Sequence, residues 1–168
     1  MAGTRILAVV VSVAAVAGLL AGSGATAAPI RVGLWLWPLE TEPAIVGHYL
    51  APATRYAAGH RGLDLPANLG QSVHAPESGR VSFRGWVVDR PVISIEHPGG
   101  WRTSFEPVAS ALAEGEAVAA GQVIGVLTAD ASHCMAPCLH VGLRLDGEYL
   151  NPLVRLGSLR PSVLLPLD

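Results

Sequence analysis

The chain is predicted to fold as one all-β domain, an antiparallel β-sandwich. Short runs of β-branched, aromatic and other apolar residues alternate with Gly, Pro and Asp turn signals every several residues, which is the pattern of many short strands. No long stretch has the 3.6-residue periodicity of an amphipathic helix. Together these observations favour packed sheets over any fold built on long helices.

Residues 1–27 are predicted to be a secretory signal peptide. They contain one basic residue, Arg5, then an apolar run over residues 6–21 and a segment of small residues, which is the order of such signals. A membrane anchor is the alternative, but the run is shorter than the ~20 residues that a spanning helix needs. We therefore expect cleavage before Ala28. The mature protein is expected to be secreted or located in the cell envelope, with no membrane attachment.

Three further segments are expected after the signal peptide. Residues 28–42 form an apolar lead-in and residues 43–153 form the β-sheet core domain. Residues 154–168 form an apolar tail, interrupted by prolines, that is expected to pack on the outside of the sheet. The remaining length of about 140 residues suits a single domain with a substantial core, and a monomer is expected.

The first part of the mature chain is expected to contain more loop than sheet. Trp35 and Trp37 would share one face of a lead-in strand and cover the core. Residues 47–80 are dense in Gly and Pro and predict loops around short strands.

The second part of the chain contains clearer strand patterns. The predicted elements are, in order, strands at 80–88, 91–97 and 101–108, a helical turn within 108–118, a strand at 121–130, and a hairpin of 137–145 with 148–153. Asp146-Gly147 is a favoured two-residue turn for that last hairpin.

The strand at 138–145, CLHVGLRL, alternates between an apolar and a polar face. Leu139, Val141 and Leu143 would point to the core, because side chains two residues apart share one face of a strand. His140 would then lie in the middle of the polar face. A surface strand does not require a histidine there, so His140 is a candidate ligand.

The charge of the chain argues against two classes of partner. The sequence has 13 acidic and 11 basic residues, and loss of Arg5 with the signal peptide changes the balance to 13 against 10. A net charge near −3 disfavours binding to nucleic acid or to an anionic membrane. All the basic residues are arginines, and the chain contains no lysine.

Cys134 and Cys138 are the only cysteines in the sequence. Because a secreted chain matures in an oxidising compartment, a disulfide that closes this small loop is expected. The alternative is a thiolate bound to a metal ion.

His60 and Asp64, in GHRGLDL, are candidate ligands for Zn²⁺, since imidazole and carboxylate both bind this ion well. Gly62 lets the chain fold tightly between them. Such a pair is common by chance, and a polar loop in which Asp64 caps a turn would also explain it. His140 adds a third ligand. Three protein ligands leave tetrahedral zinc with one open position, as in catalytic sites.

Residues 75–81 and 114–127 look like the hairpin sandwich of biotinyl and lipoyl carrier domains, a barrel-sandwich-hybrid architecture. Such carriers need a lysine in the turn. Because the chain has no lysine, the carrier function is excluded while the architecture remains a prediction.

The chain also resembles the lysostaphin-type murein metallopeptidases, zinc endopeptidases that cut peptide cross-links in bacterial cell walls. The resemblance covers about residues 43–153. It rests on the motifs GHRGLDL, APESGRV, VISIEHPGGWRTSFEPV, GQVIGVL and CLHVGLR, in that order. It implies an all-β sandwich with one Zn²⁺ in a groove on the sheet, held by His60, Asp64 and His140.

Two positions depart from the family pattern. The first histidine of the family's H-x-H motif, usually assigned as the general base, is Cys138 here, and the histidine of its Y-x-H-L motif is Pro107. General acid–base help accounts for roughly 10²–10⁴ in rate, so hydrolysis is expected to be weak. His133, Glu106 and His74 are the candidate substitutes, although each is more simply a loop or surface residue.

The resemblance therefore implies a secreted, zinc-binding metallopeptidase-like domain that acts on peptidoglycan peptide cross-links. The alternative is a degenerate member of the family that binds the cell wall or activates another wall hydrolase. The expected partners are peptidoglycan stem peptides or such a hydrolase. Arg102 and Arg144 are either solvated surface residues or partners for stem-peptide carboxylates.

Overall fold

The computed structural model describes residues 35–54, 56–130 and 133–157. The predicted signal peptide and residues 158–168 of the predicted tail lie outside the described residues. The elements are β1 Gly62–Pro66, β2 Ser72–His74, β3 Gly79–Val87, β4 Arg90–His97, β5 Trp101–Glu106, β6 Val108–Ala109, β7 Ala117–Val118, β8 Val123–Leu127, β9 Cys138–Leu145, β10 Glu148–Leu150 and α1 Leu153–Leu156.

The larger of the two sheets has seven strands in the order β1-β9-β5-β4-β3-β7, with β10 also paired to β9. Strand β9 connects most of this sheet. Residues 138–142 pair with β1, and residues 143–145 pair with β10. On the other side, residues 140–145 pair with β5. All these pairings are antiparallel, so the strand that carries His140 is held on both sides.

The smaller sheet has the order β2-β8-β6 and shares one core with the larger sheet. Val73 and Ile124 of the smaller sheet belong to the same buried cluster as Phe105 and Leu139 of the larger one. Full burial of each such side chain contributes about 1.5–3 kcal/mol. The predicted all-β, antiparallel architecture is confirmed.

The predicted alternation of β9 is also confirmed. Leu139, Val141 and Leu143 are at most 1% exposed. His140 and Arg144 are half-buried on the opposite face, and this polar face of the sheet carries the candidate site.

Two predicted elements are wrong. Residues 108–118 do not contain a helical turn; they form β6 and β7, separated by a turn at Gly115, whose φ is +83°. The reason is tertiary, because β6 pairs with β8 and β7 pairs with β3, and such pairing overrides local helix propensity.

The lead-in also differs from the prediction, because Trp35 and Trp37 lie in an irregular segment and not in a strand. Trp35 is nevertheless buried, with its ring against the rings of His97 and Trp101. The predicted covering of the core therefore holds without the predicted strand, since Trp35 is in the buried cluster and the partly buried Trp37 packs against it.

The chain leaves the sheet through the short helix α1, in which Leu156 is buried. None of the helices in the described ranges has the length and apolar character needed to span a membrane.

His97 is a buried histidine with a structural role. Its Nδ1 lies 2.9 Å from the carbonyl oxygen of Ser78, and its Nε2 lies 2.8 Å from Oγ1 of Thr103. Burial lowers the pKa of His97 below its ordinary value of 6.5, although the Ser78 carbonyl and Glu77 act in the opposite direction.

We predict that His97 makes the protein less stable in mild acid. Since its folded-state pKa is lowered, the unfolded chain takes up the proton first. The contribution of His97 to the free energy of unfolding is therefore at its maximum above about pH 6.5. It decreases as the pH drops toward the folded-state pKa, by at most about 1.4 kcal/mol per pH unit. Urea unfolding at a series of pH values should show a shallower slope for His97→Gln than for wild type. Equal slopes in the two proteins would contradict the prediction.

Candidate metal centre

Strand pairing brings two of the predicted ligands face to face. In the antiparallel pair of β1 and β9, Asp64 lies directly opposite His140, so both side chains leave the same face of the sheet. On the other side of β9, Glu106 of β5 is also opposite His140. Backbone hydrogen bonds of three adjacent strands therefore fix the row of Asp64, His140 and Glu106.

His60 joins this row from the segment before β1. Its backbone forms an isolated bridge with Leu50, and its Nδ1 lies 2.8 Å from the carbonyl oxygen of His48. When Nδ1–H donates to that carbonyl, Nε2 remains as the electron-pair donor. That Nε2 lies 3.1 Å from Oδ1 of Asp64 and 3.2 Å from Nδ1 of His140.

Asp64 is the centre of the cluster and is only 6% exposed. Its Oδ1 lies 2.7 Å from Nδ1 of His140 and 2.9 Å from Nε2 of His133. Burial alone would raise the pKa of Asp64, but hydrogen bonds and charges from His140 and His133 hold that pKa below its ordinary value. The carboxyl group is therefore ionised at neutral pH.

His133 was not among the three predicted ligands, yet the structure places it in the cluster. Its ring centroid lies 5.7 Å from that of His60 and 5.2 Å from that of His140. From the sequence alone, His133 is expected only as a weak substitute for the missing base. The signal that could have revealed it is its position immediately before Cys134, at the start of a loop that ends two residues before His140.

The predicted disulfide between Cys134 and Cys138 is confirmed. A disulfide sulfur is not a thiolate, so the alternative in which a cysteine ligates the metal is excluded. The same bond also prevents Cys138 from accepting a proton in place of the family's base.

Two glycines leave the space that the cluster occupies. A Cβ at Gly47 would lie 2.1 Å from Oδ2 of Asp64, and a Cβ at Gly62 would lie 2.6 Å from Nε2 of His140. At Gly62 the same Cβ would also lie 2.4 Å from the carbonyl oxygen of Val141. The role of Gly62 is thus to permit a close approach of β1 to β9 and to the His140 ring.

The donor set fits a zinc ion. Three imidazole nitrogens and one carboxylate oxygen, from His60, His133, His140 and Asp64, all lie within 4.8 Å of one another. Nitrogen and oxygen donors of these types, in a group of four, are what Zn²⁺ binds in proteins. The structure thus brings together the three predicted ligands and adds a fourth candidate.

A groove of about 590 Å³ lies along the polar face of the larger sheet and is lined in part by His140 and Glu106. Arg61, Arg102 and Arg144 line the same groove. Because guanidinium groups pair with carboxylates, this lining favours an acidic ligand beside the cluster.

The remaining candidates occupy different places. Glu106 faces the groove and forms an ion pair with Arg90, with 3.5 Å between Oε1 and Nη1, whereas Pro107 is buried. His74 lies outside the cluster, in β2, where its Nδ1 is 3.0 Å from the carbonyl oxygen of Gly121.

A family model confirms the resemblance that the motifs indicated. The model of peptidase family M23 matches residues 58–152, which is more than half of the chain. The chain belongs to peptidase family M23. The matched segment includes all four residues of the cluster, His60, Asp64, His133 and His140.

Curated proteins are similar to this chain over most of its length. An uncharacterized protein of Mycobacterium tuberculosis is 42% identical over 155 residues, covering 89% of this chain and 61% of that protein. The murein hydrolase activator NlpD of Salmonella typhimurium is 29% identical over 136 residues, covering 79% of this chain and 33% of NlpD. The chain thus spans less than two thirds of the length of these relatives.

Solved structures support the M23 fold. The catalytic domain of lysostaphin from Staphylococcus simulans matches with a TM-score of 0.60 and 24% identity, over 69% of this chain and 93% of that domain. A zinc-containing peptidase from Vibrio cholerae matches with a TM-score of 0.62 and 18% identity, over 76% of this chain and 41% of that one. At these identities the likeness establishes the fold.

We predict that Gly62→Ala destabilises the folded protein, because the new Cβ would meet the backbone oxygen of Val141 and the ring of His140. Overpacking of this kind costs about 1–3 kcal/mol, which urea unfolding would measure. The matched control is Gly142→Ala at the residue paired with Gly62, where an added Cβ would meet nothing closer than 3.7 Å. The prediction fails if the two variants lose the same stability.

Proposed function

We propose that residues 43–153 form a zinc metalloendopeptidase domain of low activity that acts on peptide cross-links of peptidoglycan. The observation that carries this proposal is the convergence of His60, Asp64 and His140 beside an arginine-lined groove, in a chain of peptidase family M23. The likeness to NlpD, a murein hydrolase activator, supports a function related to peptidoglycan.

In this proposal His60, Asp64 and His140 hold one Zn²⁺. When bound, this ion supplies a Lewis acid that polarises a carbonyl group and makes water more acidic. Asp64 contributes a negative charge at neutral pH, since hydrogen bonds from His140 and His133 hold its pKa low despite burial. The His48 carbonyl orients His60 through Nδ1.

Glu106 is the groove residue that is proposed to accept a proton. It lies opposite His140 in the strand register and is partly exposed to the groove. Its Oε1 lies 3.5 Å from Nη1 of Arg90, so part of the carboxylate is engaged in an ion pair. The lack of a proton-accepting side chain at Cys138 and Pro107, the family's two histidine positions, accounts for the low activity in the proposal.

The arginines of the groove are proposed to bind carboxylates of the stem peptides. Arg144 is held in place by Tyr149, to which it donates a hydrogen bond, and its guanidinium carbon lies 4.2 Å from the centroid of that ring. A guanidinium that is already oriented loses less conformational entropy when it binds a carboxylate.

The proposed location is outside the cytoplasm, through cleavage of the signal peptide at residues 1–27. The Cys134–Cys138 disulfide supports this location, because disulfides persist in oxidising compartments.

A second candidate function is recognition of the cell wall or activation of another wall hydrolase without hydrolysis by this domain. The observation that favours it is the absence, at both Cys138 and Pro107, of a side chain able to accept a proton. The groove and the metal ion would then take part in binding to the cell wall or to the other hydrolase, and not in catalysis.

We predict that the purified protein binds one Zn²⁺ per chain. Elemental analysis after dialysis should show zinc in wild type and strongly reduced zinc in His60→Ala and His140→Ala, because each variant removes one donor. His74→Ala, a histidine outside the cluster, should keep the wild-type content. Equal zinc in all four proteins would rule out the proposed ligands.

We predict that purified peptidoglycan is digested only slowly, with new amino groups released at a rate that a chelator abolishes. Glu106→Gln should reduce this residual rate by roughly 10²-fold or more, whereas Glu96→Gln, at a carboxylate outside the groove lining, should not. Rapid digestion by wild type would contradict the low-activity proposal. If no digestion is detected but the protein still sediments with peptidoglycan, the second candidate function is favoured.

A further inference from the structure

We propose that His133 is the fourth protein ligand of the metal centre, through Nε2, so that the four protein donors close the coordination shell. This inference rests on the proposed metal site and adds to it a residue that lies outside the set implied by the family motifs. It is carried by the position of the His133 side chain and by the covalent link that places it.

The first observation is the distance of His133 from the other donors. Its Nε2 lies 2.9 Å from Oδ1 of Asp64, between the 2.7 Å of His140 and the 3.1 Å of His60 from the same oxygen. Donors around tetrahedral zinc, each about 2.0–2.1 Å from the ion, are separated by roughly 3.3 Å. His133 is thus as close to Oδ1 of Asp64 as the two histidines of the family motif are.

The second observation is how the chain places His133 there. The Cys134–Cys138 disulfide holds the two Cα atoms 6.2 Å apart and so ties the residue next to His133 to the start of β9. His140 follows two residues later on that strand. The cysteine at the family's base position therefore anchors a loop that returns an imidazole to the site from another direction.

The third observation is the direction of the His133 ring. Its side chain is 41% exposed, yet its Nε2 lies within hydrogen-bond distance of Oδ1 of Asp64. The ring lies edge-on to the rings of His60 and His140. A metal ion that is bound by all four side chains would explain this inward orientation.

A closed shell has a chemical consequence. Catalytic zinc sites keep one position open, whereas structural sites have four protein ligands. With His133 bound, water or a substrate carbonyl can take a position only after His133 leaves. His133 would therefore restrain hydrolysis in addition to the effects of Cys138 and Pro107.

The test uses the full chain loaded with Co²⁺ in place of zinc, since the visible spectrum of Co²⁺ reports the number and type of its ligands. We expect His133→Ala to weaken Co²⁺ binding by at least about tenfold in a competition titration, which corresponds to 1.4 kcal/mol, and to change the spectrum. Met135→Ala, at a fully exposed residue of the same loop, should match wild type in both respects.

Added azide provides the decisive comparison. It should leave the wild-type Co²⁺ spectrum unchanged, because no position is open, and should change the spectrum of His133→Ala. Added imidazole should restore a wild-type-like spectrum to that variant. Circular dichroism of His133→Ala should match wild type, which shows that any loss is local.

Two results would overturn the inference. One is an equal azide response in wild type and His133→Ala; the other is an unchanged Co²⁺ affinity and spectrum in that variant. Failure of the underlying proposal looks different, because wild type would then take up no Co²⁺ at all.

Discussion

The antiparallel register between β1 and β9 is the constraint on which the candidate site depends. It sets Asp64 opposite His140, and a shift by one residue would turn one of these side chains into the core. The register is strongly specified, because Leu63, Leu65, Leu139 and Val141, which alternate with the two polar residues, are essentially buried. Hydrophobic packing behind the sheet thus determines the geometry of the donors in front of it.

Burial of the Asp64 carboxylate on the polar face would destabilise the fold if no positively charged group or hydrogen-bond donor lay beside it. Asp64 is buried as an ionised group, and a buried charge is tolerated only when it is paired and hydrogen-bonded. Three histidine nitrogens surround its Oδ1 at 2.7–3.1 Å. Gly47 and Gly62 keep the space clear. A divalent cation shared by these groups would satisfy the same requirement more fully, and this supports the proposed metal site.

Much of this arrangement could be predicted from the sequence. The two-residue alternation of β9 predicted its buried face, and the four-residue spacing of His60 and Asp64, together with the family motifs, predicted donors that the structure brings together. The disulfide followed from the expected compartment. Each of these is a local pattern or a motif with a fixed spacing.

What the sequence did not predict depends on contacts between distant residues. The strands β6 and β7 exist because β8 and β3 pair with them, and residues 108–118 on their own have a weak helical pattern. His133 belongs to no periodic pattern and to no family motif in the sequence. Only the three-dimensional course of the loop that follows it brings it to Asp64. Its proximity to Cys134 is visible in the sequence, but the direction of its side chain is not.

We propose that three histidines and one aspartate hold a single zinc ion. X-ray absorption at the zinc edge of the purified, zinc-loaded protein tests it most directly. We expect four nitrogen or oxygen neighbours at about 2.0–2.1 Å, with the outer-shell scattering of three imidazole rings and no sulfur at about 2.3 Å. A sulfur neighbour, or scattering from two imidazoles or fewer, would contradict it.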